Sequence, residues 1–240
     1  MRYFTSDPHF GHSFIAALRG YVFPEMADKY DLHTITDVQQ NFHKVRRCHD
    51  FATEGPLVNI EQHDQDIIDN INNVVGVDDT LYILGDLSSG HKKAAMRACE
   101  CHIASLNVPK ENLHLILGNH DYCKNFDFAQ FALGFFETVQ ERALIVMDIN
   151  GVQQKVMLSH FPAYQDVEEQ AKTTSDSFKT RHIHMSPHLP NDTLLLYGHT
   201  HSNQKDEFGN PNALHIGLDA WGLKPVAENE IIQYFAPLGR

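Results

Sequence analysis

The chain lacks any apolar run long enough to span a bilayer, so no membrane anchor is expected. It opens Met1-Arg2-Tyr3-Phe4-Thr5-Ser6-Asp7, directly into a candidate motif, so no signal peptide is expected either. Cysteine is scarce. Cys48, Cys99, Cys101 and Cys123 have neither zinc-ligand spacing nor the density of a disulfide framework, which points to a reducing compartment and a cytoplasmic location. Positive charge is also short. Lys and Arg number 19 against 31 Asp and Glu, a net charge of −12 with His neutral. Such a chain repels polyanions, so long DNA or RNA is a poor default partner. No repeat, low-complexity tract or Pro/Gly/Ser linker divides it. With 240 residues, 42% hydrophobic and 21% charged, it reads as one domain over 1–240 that can bury one large core.

Histidine is abundant, at 17 residues. Five short motifs rich in metal-binding residue types each follow an apolar run. They are Asp7-Pro8-His9, Gly85-Asp86, Gly118-Asn119-His120-Asp121, Ser159-His160 and Gly198-His199-Thr200-His201. The preceding runs, such as Leu81-Tyr82-Ile83-Leu84 and Leu194 to Tyr197, read as buried strands stopped by Gly or a polar residue. In open α/β sheets the ligand crevice lies outside the carboxyl ends of the strands. If the strands lie side by side, residues far apart in sequence converge on one edge. No Cys is among the candidates, which argues against a structural zinc site. Imidazole nitrogen mixed with carboxylate oxygen suits divalent transition metals of borderline hardness. Asp7, His9, Asp86, Asn119, His160, His199 and His201 are too many ligands for one ion with an open position. They suit two ions with one carboxylate shared.

Between the motifs, Asn59-Ile60-Glu61-Gln62 predicts a capped helix start, followed by Ile67, Ile68, Ile71, Val74 and Val75 at helical spacing and a stop at Gly76. Further helices are predicted over 91–105 and 125–133. Asn150-Gly151 between two apolar runs predicts a type I′ hairpin, and Asp206 to Pro211 a second hairpin turn. Residues 20–58 and 165–192 read as irregular. The pattern alone supports a mixed α/β domain.

The series D-x-H, G-D, G-N-H-D, H and G-H-x-H, in that order from Asp7 to His201, resembles the calcineurin-like metallophosphoesterase superfamily. Asp7-Pro8-His9-Phe10-Gly11-His12 and Gly217-Leu218-Asp219-Ala220-Trp221-Gly222 look like its small bacterial and phage subgroup. The resemblance implies a four-layer α/β/β/α sandwich: two mixed sheets with helices outside, and a dinuclear metal site at the strand carboxyl ends. It implies that Asp7, His9 and His201 hold a first ion and Asn119, His160 and His199 a second, with Asp86 bridging. The cofactor would be two divalent transition-metal ions, Mn foremost, with Fe, Zn, Ni or Co as alternatives.

By the same resemblance His120 faces substrate, stabilising the transition state or protonating the leaving oxygen, while Asp121 holds its other ring nitrogen. Asp121 reads equally as a helix N-cap before Asn125. His12 and His63 are candidates to face the substrate pocket, against the plainer reading of polar loop or helix residues. His182, His184 and His188 read as a solvated loop, Asp219 and Trp221 as turn and core residues of a final hairpin, and Arg46-Arg47 as a solvated helix face.

The expected reaction is phosphoester hydrolysis by two-metal hydroxide attack, with no covalent intermediate, consistent with the lack of a P-loop or nucleophile elbow. The Ser/Thr phosphatases of the superfamily carry an Arg after the second-motif Asp and a Glu after G-N-H. Here Asp86-Leu87-Ser88-Ser89-Gly90 lacks that Arg, and Asp121 replaces the Glu. That favours a small-molecule phosphodiester, such as a cyclic nucleotide, as substrate. A phosphomonoesterase, protein phosphatase or small nuclease is the enzymatic alternative, and a non-catalytic metal-binding protein the remaining one. Homo-oligomer formation is left open.

Overall fold

The computed structural model describes residues 1–30, 32, 41, 42, 45, 57–173 and 182–238. The apolar runs read as strands are strands. The first sheet holds β1 (Arg2–Thr5), β2 (Thr80–Ile83), β3 (Leu113–Ile116), β4 (Thr138–Gln140) and β9 (Val226–Ala227), in the order β4-β3-β2-β1-β9. β1 to β4 run parallel and β9 antiparallel to β1. The second sheet holds β5 (Arg142–Ile149), β6 (Val152–Ser159), β7 (Thr193–Tyr197) and β8 (Ala213–His215), in that order. Here β6, β7 and β8 are parallel and β5 is antiparallel to β6. The class is α/β with two mixed sheets, as expected.

Successive side chains on a strand face opposite ways, and both faces are used. Leu81, Ile83, Leu113 and Leu115 pack in one apolar cluster. There they meet Ile67 and Ile71 of α3 (Ile60–Asn72), Ala95 of α4 (Lys92–Arg97) and Phe128 of α5 (Phe128–Ala132). Phe4, Leu84 and Ile116 join Val156, Leu158, Leu194 and Leu196 of the second sheet in another, with Ile231 and Phe235 of α7 (Glu228–Phe235). Leu195, Tyr197 and Ala213 face away from that cluster, toward Ala163 and Phe208. Ile15 to Leu18 of α1 (Ser13–Leu18) and Met26 of α2 (Pro24–Tyr30) form a smaller cluster of their own.

Local signals held where their chemistry was complete. Asn59 Oδ1 accepts from the Gln62 amide at 3.3 Å and starts α3. Asn150 and Gly151 have φ of +56° and +83°, the left-handed pair a type I′ turn needs. Other expectations are corrected. α3 ends at Asn72. The helix over 91–105 is α4 followed by a wider π turn at Ala98–His102 and a 3-10 turn at Ile103–Ser105. α5 begins at Phe128 because Asn125 has φ +58°, which no helix start tolerates, and Asp127 supplies the cap. Asp206 to Pro211 contains a turn but no hairpin, since β7 and β8 are parallel. The stretches read as irregular contain α2 and α6 (Tyr164–Thr173). Arg46, Arg47 and Cys48 lie outside the described residues. Among the described residues no helix is long and apolar enough to cross a membrane.

Candidate metal centre

β1, β2 and β3 are neighbours in one sheet, and β6 and β7 in the other, so all five motifs leave their strands at parallel carboxyl ends. The backbone there is strained. Asp7, His9, Asp86, His199 and His201 have φ of +62°, +50°, +56°, +72° and +50°. Left-handed conformations are uncommon for non-Gly residues, cost free energy, and cluster at functional sites. The preceding glycines let the strand ends approach. A Cβ on Gly118 would collide with the Asp86 carboxylate, and one on Gly198 with Ser6 and Asp7.

The side chains form two buried groups that could hold metal ions. In the first, His9 Nε2 and His201 Nε2 lie 3.2 Å apart, and each is 3.9 Å from Asp7 Oδ1. Asp7 Oδ1 is buried with no hydrogen-bond partner, while its other oxygen accepts from the His199 amide at 2.9 Å. In the second, His160 Nε2 lies 3.2 Å from His199 Nδ1, 3.2 Å from Asn119 Oδ1 and 3.4 Å from Asp86 Oδ2. Asp86 Oδ2 is also 3.6 Å from His9 Nε2, so this one oxygen faces both groups.

Lone-pair atoms crowded in this way need a proton or a cation between them. Burial opposes protonation of His160, yet the Asp86 and Asp7 carboxylates outweigh it and hold its pKa up at about 10. Burial would likewise raise the Asp86 pKa, but His160 and His9 hold it well below the usual carboxylate range. Burial pushes His9 and His199 down, leaving neutral nitrogen donors. The carboxylates thus draw a positive charge into a dry site, held as a proton on His160 here, while His9 and His199 stay neutral; a metal cation can take the proton's place.

The flanking residues differ from expectation in two places. Asp121 has no bond to the His120 ring and caps no helix at Asn125; instead it closes the capping box of the 3-10 turn Asn119–Asp121 through the Gly118 amide. Its buried carboxylate accepts from the backbone N–H groups of Asp86 (2.8 Å), Leu87 (3.1 Å) and Gly118 (2.8 Å), tying two motif loops together. Burial and the charge of Asp86 push its pKa up to about 7. His63 follows the plainer reading, a polar helix residue, and not the substrate-facing one. It is fully buried in α3, with Nδ1 2.8 Å from Asp64 Oδ1 and Nε2 3.1 Å from Arg19 Nη1. Asp219 is in a 3-10 turn, Leu218–Ala220, not a hairpin. Both of its oxygens accept from Arg19, at 2.8 and 2.9 Å, and Oδ2 lies 2.8 Å from His201 Nδ1. Burial would raise the Asp219 pKa, but Arg19 and His201 hold it far below the usual range.

Arg19, which no motif marked, is therefore the centre of a buried brace. It also donates to the backbone oxygens of Asp7 (2.8 Å) and Pro8 (3.2 Å). The available signal was an arginine placed directly after the four buried residues Ile15 to Leu18. His120 and His12 are partly exposed beside the first group. The His120 ring lies 5.2 Å from that of His9 and 5.6 Å from that of His12. His182, read as part of a solvated loop, is half-buried with its ring 5.5 Å from that of His199.

No family model matches the chain. The Gene 66 protein of Mycobacterium phage L5 is 33% identical over 182 residues, covering 72% of this chain and 80% of its own. That of Mycobacterium phage D29 is 28% identical over 234 residues, covering 94% and 92%. A solved structure of a protein of unknown function from Aquifex aeolicus has a TM-score of 0.54 at 22% identity, over 97% of this chain and 98% of its own, and so shares the fold.

Proposed function

This chain belongs to the family of the mycobacteriophage Gene 66 proteins, and we propose from the site described above that it is a metal-dependent phosphoester hydrolase of the calcineurin-like kind. The observation that carries the reading is the pair of buried groups, Asp7–His9–His201 and Asp86–His160–His199, with Asp86 Oδ2 facing both and Asp7 Oδ1 unpartnered. The donor set fits two divalent transition-metal ions, with Asn119 as a further neutral oxygen for the second. Mn is the first choice, with Fe, Zn, Ni and Co as alternatives. The paired sheets, with helices against the outer face of the first, support the four-layer sandwich reading and one catalytic unit over the chain.

Charge neutralisation at phosphate and acidification of water are the chemistry two such cations supply. The chain's own residues do the rest. His120 has its backbone N–H donated to Asp86 Oδ1 at 2.7 Å, which fixes its loop to the shared carboxylate, while its ring stays partly exposed. It is assigned as the acid that protonates the leaving oxygen. Asp121 sets the loop rather than the ring. Arg19 is buried against Asp219 and the Asp7 and Pro8 carbonyls, so it is not available to bind a phosphate dianion. That supports a diester, with its single negative charge, over a monoester.

The test is turnover of bis(p-nitrophenyl) phosphate and p-nitrophenyl phosphate at matched pH with Mn²⁺ and with chelator. Higher kcat/KM on the diester, lost with chelator, is expected. A clear monoester preference would move the protein to the phosphatase reading, and a metal-replete protein inactive on both would remove the enzymatic one. His120→Ala should keep its metal while losing turnover about a hundredfold.

A further inference from the structure

A groove of about 740 Å³, within the range of small-molecule sites, borders the loop that follows His9. Gly11 lines it and is two residues from His9, so their Cα atoms are within about 7 Å. One wall is apolar: Phe23, Val58, Ile60, Ile68 and Ala94. Phe23 keeps 41% of its surface exposed, an unusual state for an aromatic side chain beside a cavity. Deeper in, Phe10 stacks on His102 with centroids 4.7 Å apart and an angle of 17° between the rings.

The charged lining is Glu61, Asp64 and Arg97, with Asn59, Gln65 and His102 as further polar groups. Asp64 is committed to the protein, accepting from the Gly11 amide at 2.9 Å and pairing with His63. That bond fixes the loop shared by groove and metal centre. Glu61 and Arg97 make no hydrogen bond or ion pair among the described residues. Two carboxylates against one guanidinium leave the lining negative. The groove therefore disfavours a second phosphate and suits an uncharged group with a flat apolar face and hydrogen-bond donors at its edge.

We propose that this groove holds the nucleoside part of the substrate, with the base against the Phe23 wall and its donors toward Glu61, while the phosphodiester reaches the metal centre. The assignment rests on the phosphoesterase reading for the phosphate but not for the nucleoside. A nucleobase meets the requirements because its ring faces are apolar and its N–H and amino groups lie on the edge, where a carboxylate accepts them.

The experiment uses the full chain in two arms. In the first, guanosine, adenosine and free ribose are titrated calorimetrically. Saturable binding of a nucleoside without binding of ribose is expected. It should weaken about tenfold in Ala94→Trp, which fills the groove, and threefold to tenfold in Glu61→Gln, which removes one charged acceptor from an exposed helical position. In the second, the ratio of kcat/KM for a nucleoside phosphodiester to that for bis(p-nitrophenyl) phosphate should fall about tenfold in Ala94→Trp, chiefly through KM. Absence of nucleoside binding to folded, metal-replete protein would overturn the proposal, as would binding and a ratio unchanged in both variants. Nucleoside binding that both variants weaken, in a protein inactive on every phosphoester, would uphold the groove while removing the enzymatic reading.

Discussion

The two metal-binding groups sit side by side and share a carboxylate, yet they are held in different ways. The first is braced by side chains from distant parts of the chain. Arg19 grips Asp219, and Asp219 orients His201 through Nδ1. The same guanidinium fixes the carbonyls of Asp7 and Pro8, those of the two successive peptides that lead to His9. The second is braced mainly by main chain. His160 Nδ1 lies 2.7 Å from the Leu84 carbonyl, His120 N–H holds Asp86, and Asp121 gathers three amides. A network of buried ions is expensive to break because each partner left behind is an uncompensated charge. Main-chain bonds within strand-end loops survive single substitutions. The first group should therefore be the rigid one, and the second the easier to empty and refill.

The largest effect belongs to the residue that joins them. Asp86→Ala should lose both ions together and cut turnover about a thousandfold, the upper range for losing one electrostatic contact. Elemental analysis checks it, and retention of one ion per chain would separate the groups more than Asp86 Oδ2 allows. Arg19→Ala should come next. It leaves the buried Asp219 carboxylate with His201 as its remaining partner, at a cost of about 3 kcal/mol in chemical denaturation. Arg19→Lys should recover only part, because an ammonium cannot reproduce the two-point contact.

Asp219→Asn is a finer probe. It keeps volume but removes the charge that holds His201 Nδ1, as outer partners of metal-bound histidines do. Metal affinity at the first group should drop about tenfold to a hundredfold, with the second unchanged. Titration of metal-free protein with Mn²⁺ reads both steps. Equal weakening of the two would mean that the brace does not discriminate between them.

Much of the centre was legible in the sequence because each ligand follows a strand, and β1, β2, β3, β6 and β7 carry strong apolar patterns. Local chemistry sufficed for Asn59 at the start of α3 and for the Asn150-Gly151 turn. The brace was not legible. Arg19 and Asp219 are 200 residues apart, and no local pattern announces a pair that only tertiary structure creates. Asp219 looked like a turn residue, and it is one; its charge has a second use. Asp121 is hidden for a related reason. Its place after His120 suggested a ring partner, but the tight 3-10 turn at Asn119–Asp121 points its carboxylate back to Gly118 and Asp86. His63 reads more plainly as a polar helix residue than as a pocket residue, and it is one, but only tertiary structure supplies the Asp64 and Arg19 contacts of its two nitrogens.

The smallest expected effect separates two supporting residues, His63 and His160, by the sign of their pH dependence in the chelator-treated chain. His63 supports the first brace as a neutral ring: Nδ1–H donates to Asp64, and Nε2 accepts from Arg19. Burial lowers its pKa from the ordinary 6.5, and the positive charge of Arg19 lowers it further. The unfolded chain thus binds the proton that the folded chain refuses, so stability falls as pH drops below 6.5, by at most about 1.4 kcal/mol per pH unit for one proton. His160 has the opposite sign. Its folded pKa is held up at about 10, so its contribution is full below 6.5 and fades as pH rises toward 10. Thermal melts from pH 5 to 10 should show His63→Gln flattening the acid side and His160→Gln the alkaline side. If both variants flatten the same side, His63 is not held neutral between Asp64 and Arg19, and the brace around Arg19 is not the neutral-ring arrangement its contacts describe.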